Sequence, residues 1–255
     1  ATVTGTNDAP IAGAEVNREV NEGDAVISGS LGGSDVDAGT DLSYTANGDL
    51  PAGFTLDGDT GEYSFDPTDA AYDSLSSTDS VQLQVPVTVT DGDGGSAQQM
   101  ITIDVQGTND LPSSIITTGA SVDEGASAGT VVATLDATDA DSGESFSFSL
   151  TDDQSGLFEI VGNEVRVKEG ADIDYESAQQ HEVTIQVTDS AGGSYEQNAT
   201  FTVNNMGEGP TDITLSGGSV DENATGGTVV ATLAAADEDA GETVTYNLAD
   251  ASGNF

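Results

Sequence analysis

The chain has no cysteine, no tryptophan, one histidine and only three Lys and Arg residues. The lack of cysteine excludes a disulfide framework, a zinc–thiolate site and a thiol nucleophile. Aromatic residues make up 5% of the chain, which disfavours stacking on sugar rings. No apolar stretch approaches the roughly 18 residues that span a bilayer. The single histidine, His181, has no recurring serine partner with which to form a catalytic site. We therefore expect His181 to face solvent, and we expect the protein not to be an enzyme.

Acidic residues dominate the charge of the chain. The 46 Asp and Glu residues give a formal net charge of -43, which would repel nucleic acid and anionic membranes. Acid-rich segments are often disordered, but here Val, Ile, Leu, Phe and Tyr alternate with polar residues at period two, as in β-strands. With so few basic side chains, we expect much of the neutralising charge to come from bound cations.

Self-similarity at a fixed spacing is the clearest pattern in the sequence. "GTNDAP" at residues 5–10 recurs as "GTNDLP" at 107–112, and "VNEG" at 20–23 recurs as "VDEG" at 122–125. The 24 residues from Ser121 match those from Ser219 at 17 of 24 positions. These matches predict tandem structural units with a period of about 100 residues.

The second repeat shows how each unit is expected to fold. Its pattern predicts seven short strands near residues 115–122, 130–135, 145–150, 157–161, 164–167, 182–188 and 194–203. Val183, Ile185 and Val187 should face the core, while the residues between them face water. Seven strands in about 100 residues indicate an all-β, Greek-key, Ig-like β-sandwich.

The repeats divide the chain into four parts. We expect residues 1–8 to end a preceding repeat or linker, 9–110 and 111–208 to form complete sandwiches, and 209–255 to form an incomplete third repeat. By Phe255 the third repeat has reached only three or four strands. Either the natural array continues through further repeats, which we favour, or strands of a neighbouring molecule complete this one.

Acids recur at equivalent positions in the repeats, and together they predict calcium sites. They follow the predicted first strand (Glu22, Glu124, Glu222), the second strand (Asp35 and Asp37, Asp139 and Asp141, Asp237 and Asp239) and the sixth strand (Asp91, Asp189). Calcium takes six to eight oxygen ligands. In a Greek-key sandwich the turns after the second and sixth strands can share one end, so Asp139, Asp141 and Asp189 should converge beside Asn109 and Asp110.

Some of the acids have other interpretations. Repeated acids can form a solvated or halophilic surface without a specific ion, and we expect this for isolated acids such as Asp153 and Glu196. The segments "DGDTG" at 57 and "DGDGG" at 91 begin like EF-hand loops, but Thr68 and Thr102 occupy the twelfth position, where glutamate is required. We therefore expect hairpin turns there.

The sequence also resembles known families. The first repeat, with "VTVTDGDGGSAQQMITIDVQGTND" running into "LP", resembles a VCBS repeat, and the second and third resemble bacterial cadherin-like repeats. Such repeats form extender regions of large secreted adhesins, often of the RTX type, in Gram-negative bacteria. The resemblance implies cadherin-like sandwiches outside the cell, with calcium held between successive domains.

The resemblance also implies which residues hold the ions. The first junction would use Glu22, Asn109, Asp110, Asp139, Asp141 and Asp189. The second would use Glu124, Asp174, Glu176, Glu208, Asp237 and Asp239. Equivalent residues at the start of the first repeat are Asn7, Asp8, Asp35, Asp37 and Asp91.

Two departures from the family pattern affect these sets. The first repeat lacks the "DYE" element found in the second and offers Asp66 and Asp69 in "FDPTDAAYD" instead. The second linker, "NNMGEGP", has Asn205 and Gly207 where the family has Asp and Asn.

The sequence thus predicts a calcium-stabilised extracellular stalk of a bacterial adhesin that mediates attachment or biofilm formation. Its expected partners are calcium ions, neighbouring repeats and homophilic or filament contacts, with no nucleic acid and no membrane insertion. One alternative is a subunit of an extracellular filament that is completed by strand addition. Another is a set of accessory carbohydrate-binding repeats of a secreted enzyme.

Overall fold

The computed structural model describes residues 2, 4–239 and 242–249, so Phe255, the predicted end of the third repeat, lies outside the described residues. Within this part of the chain all regular elements are β-strands. The described residues form no helix long and apolar enough to cross a membrane. Two compact units are present. The first comprises Ala1–Ile116, Asp136–Ser149 and Gln186–Gln197, and the second comprises Thr117–Leu135, Leu150–Ile185 and Asn198–Phe255.

The first repeat folds into two facing sheets of seven strands. The strands are β1 (Val16–Asn21), β2 (Ile27–Ser30), β3 (Ser43–Ala46), β4 (Phe54–Leu56), β5 (Glu62–Phe65), β6 (Ser80–Thr90) and β7 (Ser96–Gln106). One sheet has the order β1-β7-β6-β3 and the other has the order β2-β5-β4. Strand β1 pairs with β7 in parallel, whereas β6 and β7 form an antiparallel hairpin. The segment at 91–95 is the turn of this hairpin, as predicted.

Alternating side chains form the core of this sandwich. Along β6, Val85, Val87 and Val89 are buried, and the residues between them point outward. From the other sheet, Phe65 packs edge-on against Tyr72, with ring centroids 5.5 Å apart. Burying each large apolar side chain contributes about 1.5–3 kcal/mol, so the period-two pattern supplies most of the driving force for this fold.

The second repeat has the same arrangement of strands. They are β8 (Ser114–Gly119), β9 (Ser121–Asp123), β10 (Val131–Thr138), β11 (Ser147–Asp153), β12 (Phe158–Val161), β13 (Glu164–Val167), β14 (Gln180–Thr188) and β15 (Ser194–Asn204). The sheet orders are β12-β13-β10-β8 and β11-β14-β15-β9. Within the second unit, Phe158 of one sheet packs against Phe201 of the other, with centroids 5.1 Å apart.

The first strand predicted for this repeat, near residues 115–122, is divided into two strands in the structure. Ala120 has a positive φ of 73° and interrupts it, so β8 joins one sheet while β9 pairs in parallel with β15 in the other. Apolar periodicity does not detect such a break, because residues on both sides of Ala120 remain extended.

The prediction for His181 is wrong, whereas Val183, Ile185 and Val187 are buried as expected. The strand β14 begins at Gln180, two residues before the predicted start, and His181 therefore shares the inward face of those three residues. Its ring lies edge-on to Phe158 with centroids 5.8 Å apart, and its Nε2 is buried without a hydrogen-bond partner.

The third repeat contains two strands within residues 209–239 and 242–249. These strands, β16 (Asp212–Gly217) and β17 (Ala231–Ala236), pair antiparallel along their whole length. Their apolar side chains are largely exposed, with Ile213 at 59%, Leu215 at 62% and Leu233 at 46%. The described part of this repeat therefore has no second sheet against which to bury them.

Candidate metal sites

Three carboxylates converge where the first repeat meets the second, inside the first compact unit. Glu22 follows β1, Asp110 lies in the linker before β8, and Asp141 follows β10. Their carboxylate oxygens lie within 4.8 Å of one another. Glu22 and Asp141 are only 7% and 6% exposed. The backbone makes direct contact at the same place, because the Ser142 amide donates to the Ser74 carbonyl at 3.2 Å.

Several oxygens at this joint are buried and have no hydrogen-bond partner. They are Glu22 Oε2, Asn109 Oδ1, Asp139 Oδ2 and Asp141 Oδ1. A buried polar atom without a partner costs about 1–3 kcal/mol, and more when it is charged. In the described part of the chain the one ion pair joins Arg166 to Glu164, so no basic side chain neutralises these acids. The donor set therefore fits a hard cation that prefers oxygen ligands.

The electrostatics of the joint point in the same direction. Burial, and then the charges of Asp110, Asp141 and Asp73, raise the pKa of Glu22 to about 7. Burial is also the main cause of the raised pKa values of Asp110 and Asp141, and neighbouring carboxylates add to it. The ionised acids at this joint repel one another, and a bound cation would relieve that repulsion.

Asp73 is a member of this site that the sequence analysis missed. It lines an open hollow of about 310 Å³ together with Glu22 and Asp110. The expected substitutes bind their own loop instead: Asp66 Oδ1 accepts from Thr68, and Asp69 Oδ1 accepts from the Ala71 amide. The missed signal is "YDS" at 72–74, which corresponds to "YES" at 175–177 in the second repeat.

Hydrogen bonds fix the linker to the second repeat. The Asp110 amide donates to Asp141 Oδ2 at 2.8 Å, and the Asp141 amide donates to Asp139 Oδ1 at 3.1 Å. Asn109 Nδ2 donates to Asp189 Oδ2 at 3.0 Å. Burial raises the pKa of Asp189, but the bonds from Asn109 and from the amides of residues 191–193 outweigh it, so the pKa is lowered. Asp189 thus stays ionised and positions Asn109.

The start of the first repeat has the same set of contacts. Asn7 Nδ2 donates to Asp91 Oδ2 at 2.9 Å, and the Asp8 amide donates to Asp37 Oδ2 at 2.8 Å. The Asp37 amide in turn donates to Asp35 Oδ1 at 2.8 Å. The other oxygen of Asp35, Oδ2, is buried and without a partner. The five predicted residues at this end therefore lie together in one loop cluster.

A second carboxylate group lies in the second compact unit. Oxygens of Glu124, Asp174 and Glu176 lie within 4.8 Å of one another. Glu124 is 8% exposed, and its two oxygens accept from the amides of Tyr175 and Met206. The Ser177 side chain and amide donate to Asp174 and lower its pKa. Each of these acids comes from the second repeat.

The remaining predicted residues of the second junction connect to this group through hydrogen bonds. The amide of Glu208 donates to Asp239 Oδ2, and the amide of Asp239 donates to Asp237 Oδ1 at 3.2 Å. Asn205 Nδ2 donates both to Glu176 Oε1 at 3.2 Å and to Asp239 Oδ1 at 3.3 Å. Asp237, Asp239 and Glu208 are thus near the group without belonging to it, as Asp139 and Asp189 are at the first joint.

Comparison with known families agrees with this architecture. Residues 118–204 match the cadherin domain family, and residues 7–104 match the bacterial Ig domain family, Big_9. The chain carries cadherin-like, Ig-like repeats in tandem. A comparison with curated protein sequences finds no match.

Solved cadherin structures share the fold of these repeats. PcdhgB3 EC1-4 superposes with a TM-score of 0.58 at 25% identity, over 78% of this chain and 50% of that one. Protocadherin gamma B2 extracellular cadherin domains 1-5 give 0.60 at 20% identity, over 91% and 46%. Human protocadherin-24 EC1-2 gives 0.55 at 19% identity, over 80% and 100%. The chain therefore spans about half the length of the first two, and the predicted all-β, cadherin-like fold is confirmed.

Proposed function

We propose that these repeats form a calcium-stabilised, extracellular stalk segment of a bacterial surface adhesin of the VCBS and RTX type, acting in attachment or biofilm formation. The matches to a bacterial Ig domain and a cadherin domain support this proposal. The stalk's role is structural rather than catalytic: it holds ions and maintains shape.

The observation that carries the proposal is the carboxylate group of Glu22, Asp110 and Asp141 at the joint of two repeats. Two of its oxygens, Glu22 Oε2 and Asp141 Oδ1, are buried without a protein partner, and carboxylate and amide oxygens are the ligands that calcium prefers. These three residues, with Asp73, would hold the ion, which would supply the positive charge that the chain itself lacks.

The other residues of the first joint have roles of their own. Asn109 and the Asp110 amide tie the linker to Asp189 and Asp141 of the second repeat. A ligand set drawn from both repeats would make the relative position of those repeats depend on the ion. Extracellular modules bind calcium with dissociation constants of roughly 10⁻⁴–10⁻³ M, and calcium at about ten times that value contributes about 1.4 kcal/mol per site.

Calorimetric titration of the metal-free chain with CaCl₂ tests the proposal. We expect saturable calcium binding that is weakened at least about tenfold, or about 1.4 kcal/mol, by Asp141→Asn. Glu159→Gln, which removes an exposed acid from β12, is the matched control and should bind calcium like the wild type. Absence of saturable binding by the wild-type chain would refute the proposal.

A second candidate function is self-assembly into a filament by strand addition. It is favoured by the exposed apolar side chains of β16 and β17, Ile213 and Leu215 among them. An added strand from another molecule would pair with the sheet edge and cover apolar surface. Size-exclusion chromatography with light scattering over a range of concentrations tests it: oligomers that grow with concentration are expected, and a monomer at high concentration argues against it.

The carbohydrate-binding alternative receives less support. In the described part of the chain, Tyr246 is the one aromatic side chain among the exposed large apolar residues. Sugar-binding platforms use the flat faces of exposed aromatic rings, and a single ring provides little area for stacking.

A further inference from the structure

The two joints differ at one equivalent position of their linkers. Gly107 and Asn205 stand at the same distance before Pro112 and Pro210, respectively. A side chain at Gly107 would collide with the backbone of Leu75 and Ser76, so the first linker can present no functional group there. The second linker presents a carboxamide.

Asn205 connects acids of two different repeats. Its Nδ2 donates to Glu176 Oε1 of the second repeat at 3.2 Å and to Asp239 Oδ1 of the third at 3.3 Å. Hydrogen bonds from an amide to an ionised carboxylate are about twice as strong as bonds between neutral groups. The positive end of the amide dipole therefore lies between two carboxylates that would otherwise repel each other.

The buried glutamates of the two joints, Glu22 and Glu124, differ in how far the protein satisfies their oxygens. Both oxygens of Glu124 are occupied by the amides of Tyr175 and Met206. At the first joint, Glu22 Oε2 and Asp141 Oδ1 are buried and have no partner. The first joint therefore has acceptors that no protein donor satisfies, whereas the protein itself satisfies the corresponding glutamate of the second.

We propose that Asn205 is a neutral bridge that makes the second joint less dependent on calcium than the first. The inference rests on the proposed calcium-binding function and adds the order in which the two joints respond to a loss of calcium. As calcium falls, the linker at 107–112 loosens first, while Asn205 keeps the linker at 204–210 in place. The array thus has one calcium-responsive joint followed by one that is less responsive.

Hydrogen exchange of the whole chain, read by mass spectrometry on peptides covering the two linkers, tests this order. On moving from calcium to EDTA, we expect amide exchange at 107–112 to rise about tenfold or more, and exchange at 204–210 to rise about threefold or less. The amides of Val183 and Ile185, in the core of the second repeat, report whether the fold is intact.

The variant Asn205→Asp replaces the donor with a third carboxylate at the same position. We expect its second linker to exchange rapidly in EDTA and to recover protection in calcium, as the first linker does. Asn17→Asp, on the exposed face of β1, adds the same charge away from both joints and should behave like the wild type. If Asn205→Asp loses protection at Val183 and Ile185, Asn205→Ala removes both hydrogen bonds without adding charge and should shift the second linker in the same direction.

The outcomes separate this inference from the function on which it rests. Equal responses of the two linkers in the wild type would overturn the role of Asn205 while leaving calcium binding intact. An Asn205→Asp variant that retains wild-type exchange in EDTA would overturn it as well. If calcium changes exchange at neither linker, the proposed function itself is wrong.

Discussion

Asn109 and Asp189 lie 80 residues apart in sequence, yet Asn109 Nδ2 donates to Asp189 Oδ2 at 3.0 Å. The same contact joins Asn7 to Asp91 at 2.9 Å at the start of the first repeat. In both places the asparagine belongs to a "GTND" segment and the aspartate follows the second-last strand of a sandwich, β6 or β14. The chain entering each of these two sandwiches is therefore held by an equivalent asparagine–aspartate hydrogen bond.

Gly193 leaves room for the hydrogen bond between Asn109 and Asp189, and Gly193→Ala should weaken that bond. A Cβ at this position would collide with the Asp189 carboxylate, the Leu111 side chain and the Asn109 amide. We expect a loss of about 1–3 kcal/mol in the free energy of unfolding, measured by urea denaturation. Gly226→Ala is the control, because a Cβ there meets nothing within 4 Å. Equal stabilities of the two variants would contradict the proposed role of Gly193.

Asp73 and Asp66 should respond differently to removal of their charge. Asp73 lines the hollow beside Glu22, so Asp73→Asn should reduce calcium affinity by about three- to tenfold and have little effect on metal-free stability. Asp66 instead accepts local hydrogen bonds from Thr68, so Asp66→Asn should leave calcium affinity unchanged. Calorimetric titration of both variants decides the matter, and a larger loss of affinity in Asp66→Asn would show that Asp73 is misassigned.

The stability of the first joint should depend on pH through Glu22. Its pKa is raised from 4.5 to about 7 by burial and neighbouring acids, so the folded metal-free protein favours the protonated form. The contribution of Glu22 to the free energy of unfolding is therefore fully present below about pH 4.5 and is lost as the pH rises through about 7. In EDTA, Glu22→Gln should remove this loss. A wild-type stability that does not fall relative to Glu22→Gln over this range would contradict the assignment.

Calcium should reverse the effect of pH at this joint. Because calcium binds the ionised carboxylates, its affinity should fall as pH is lowered from about 8 to about 6, and binding should release protons. Titrations in two buffers of different ionisation enthalpy measure the proton release. Glu22→Gln should release fewer protons than the wild type.

The repeats and the sandwich fold were accessible from sequence because their signals are local. The alternation of Val183, Ile185 and Val187 with polar residues is enough to predict a buried strand face. The near-identity of the segments beginning at Ser121 and Ser219 defines the period of the repeats. The break at Ala120 was not accessible, because a change of sheet depends on which neighbour each half of the strand finds. His181 was misassigned because the strand begins earlier than the pattern of large apolar residues suggests.

The candidate site was predictable only in part, for a related reason. Asp110 and Asp141 repeat in motifs, so their approach could be expected from the topology of a Greek-key sandwich, whereas Glu22 was assigned to this site only through the resemblance to cadherin repeats. Asp73 lies in a loop whose spacing differs from that of the second repeat, and only the "YDS" and "YES" segments connect the two. The amide bridge made by Asn205 depends on side-chain geometry that no sequence pattern specifies.

The most direct test of calcium stabilisation is thermal unfolding of the wild-type chain and of the Glu22→Gln/Asp141→Asn double variant. Each protein is unfolded in CaCl₂ and in NaCl of equal ionic strength. If calcium bound at the first joint stabilises the repeats, CaCl₂ will raise the wild-type Tm above its value in NaCl, by about 2–8 °C for a gain near 1 kcal/mol. The double variant will show a clearly smaller difference between the two salts. Equal Tm values of the wild type in the two salts would show that the acids form only a solvated surface screened by any cation, and would contradict specific calcium binding at the first joint.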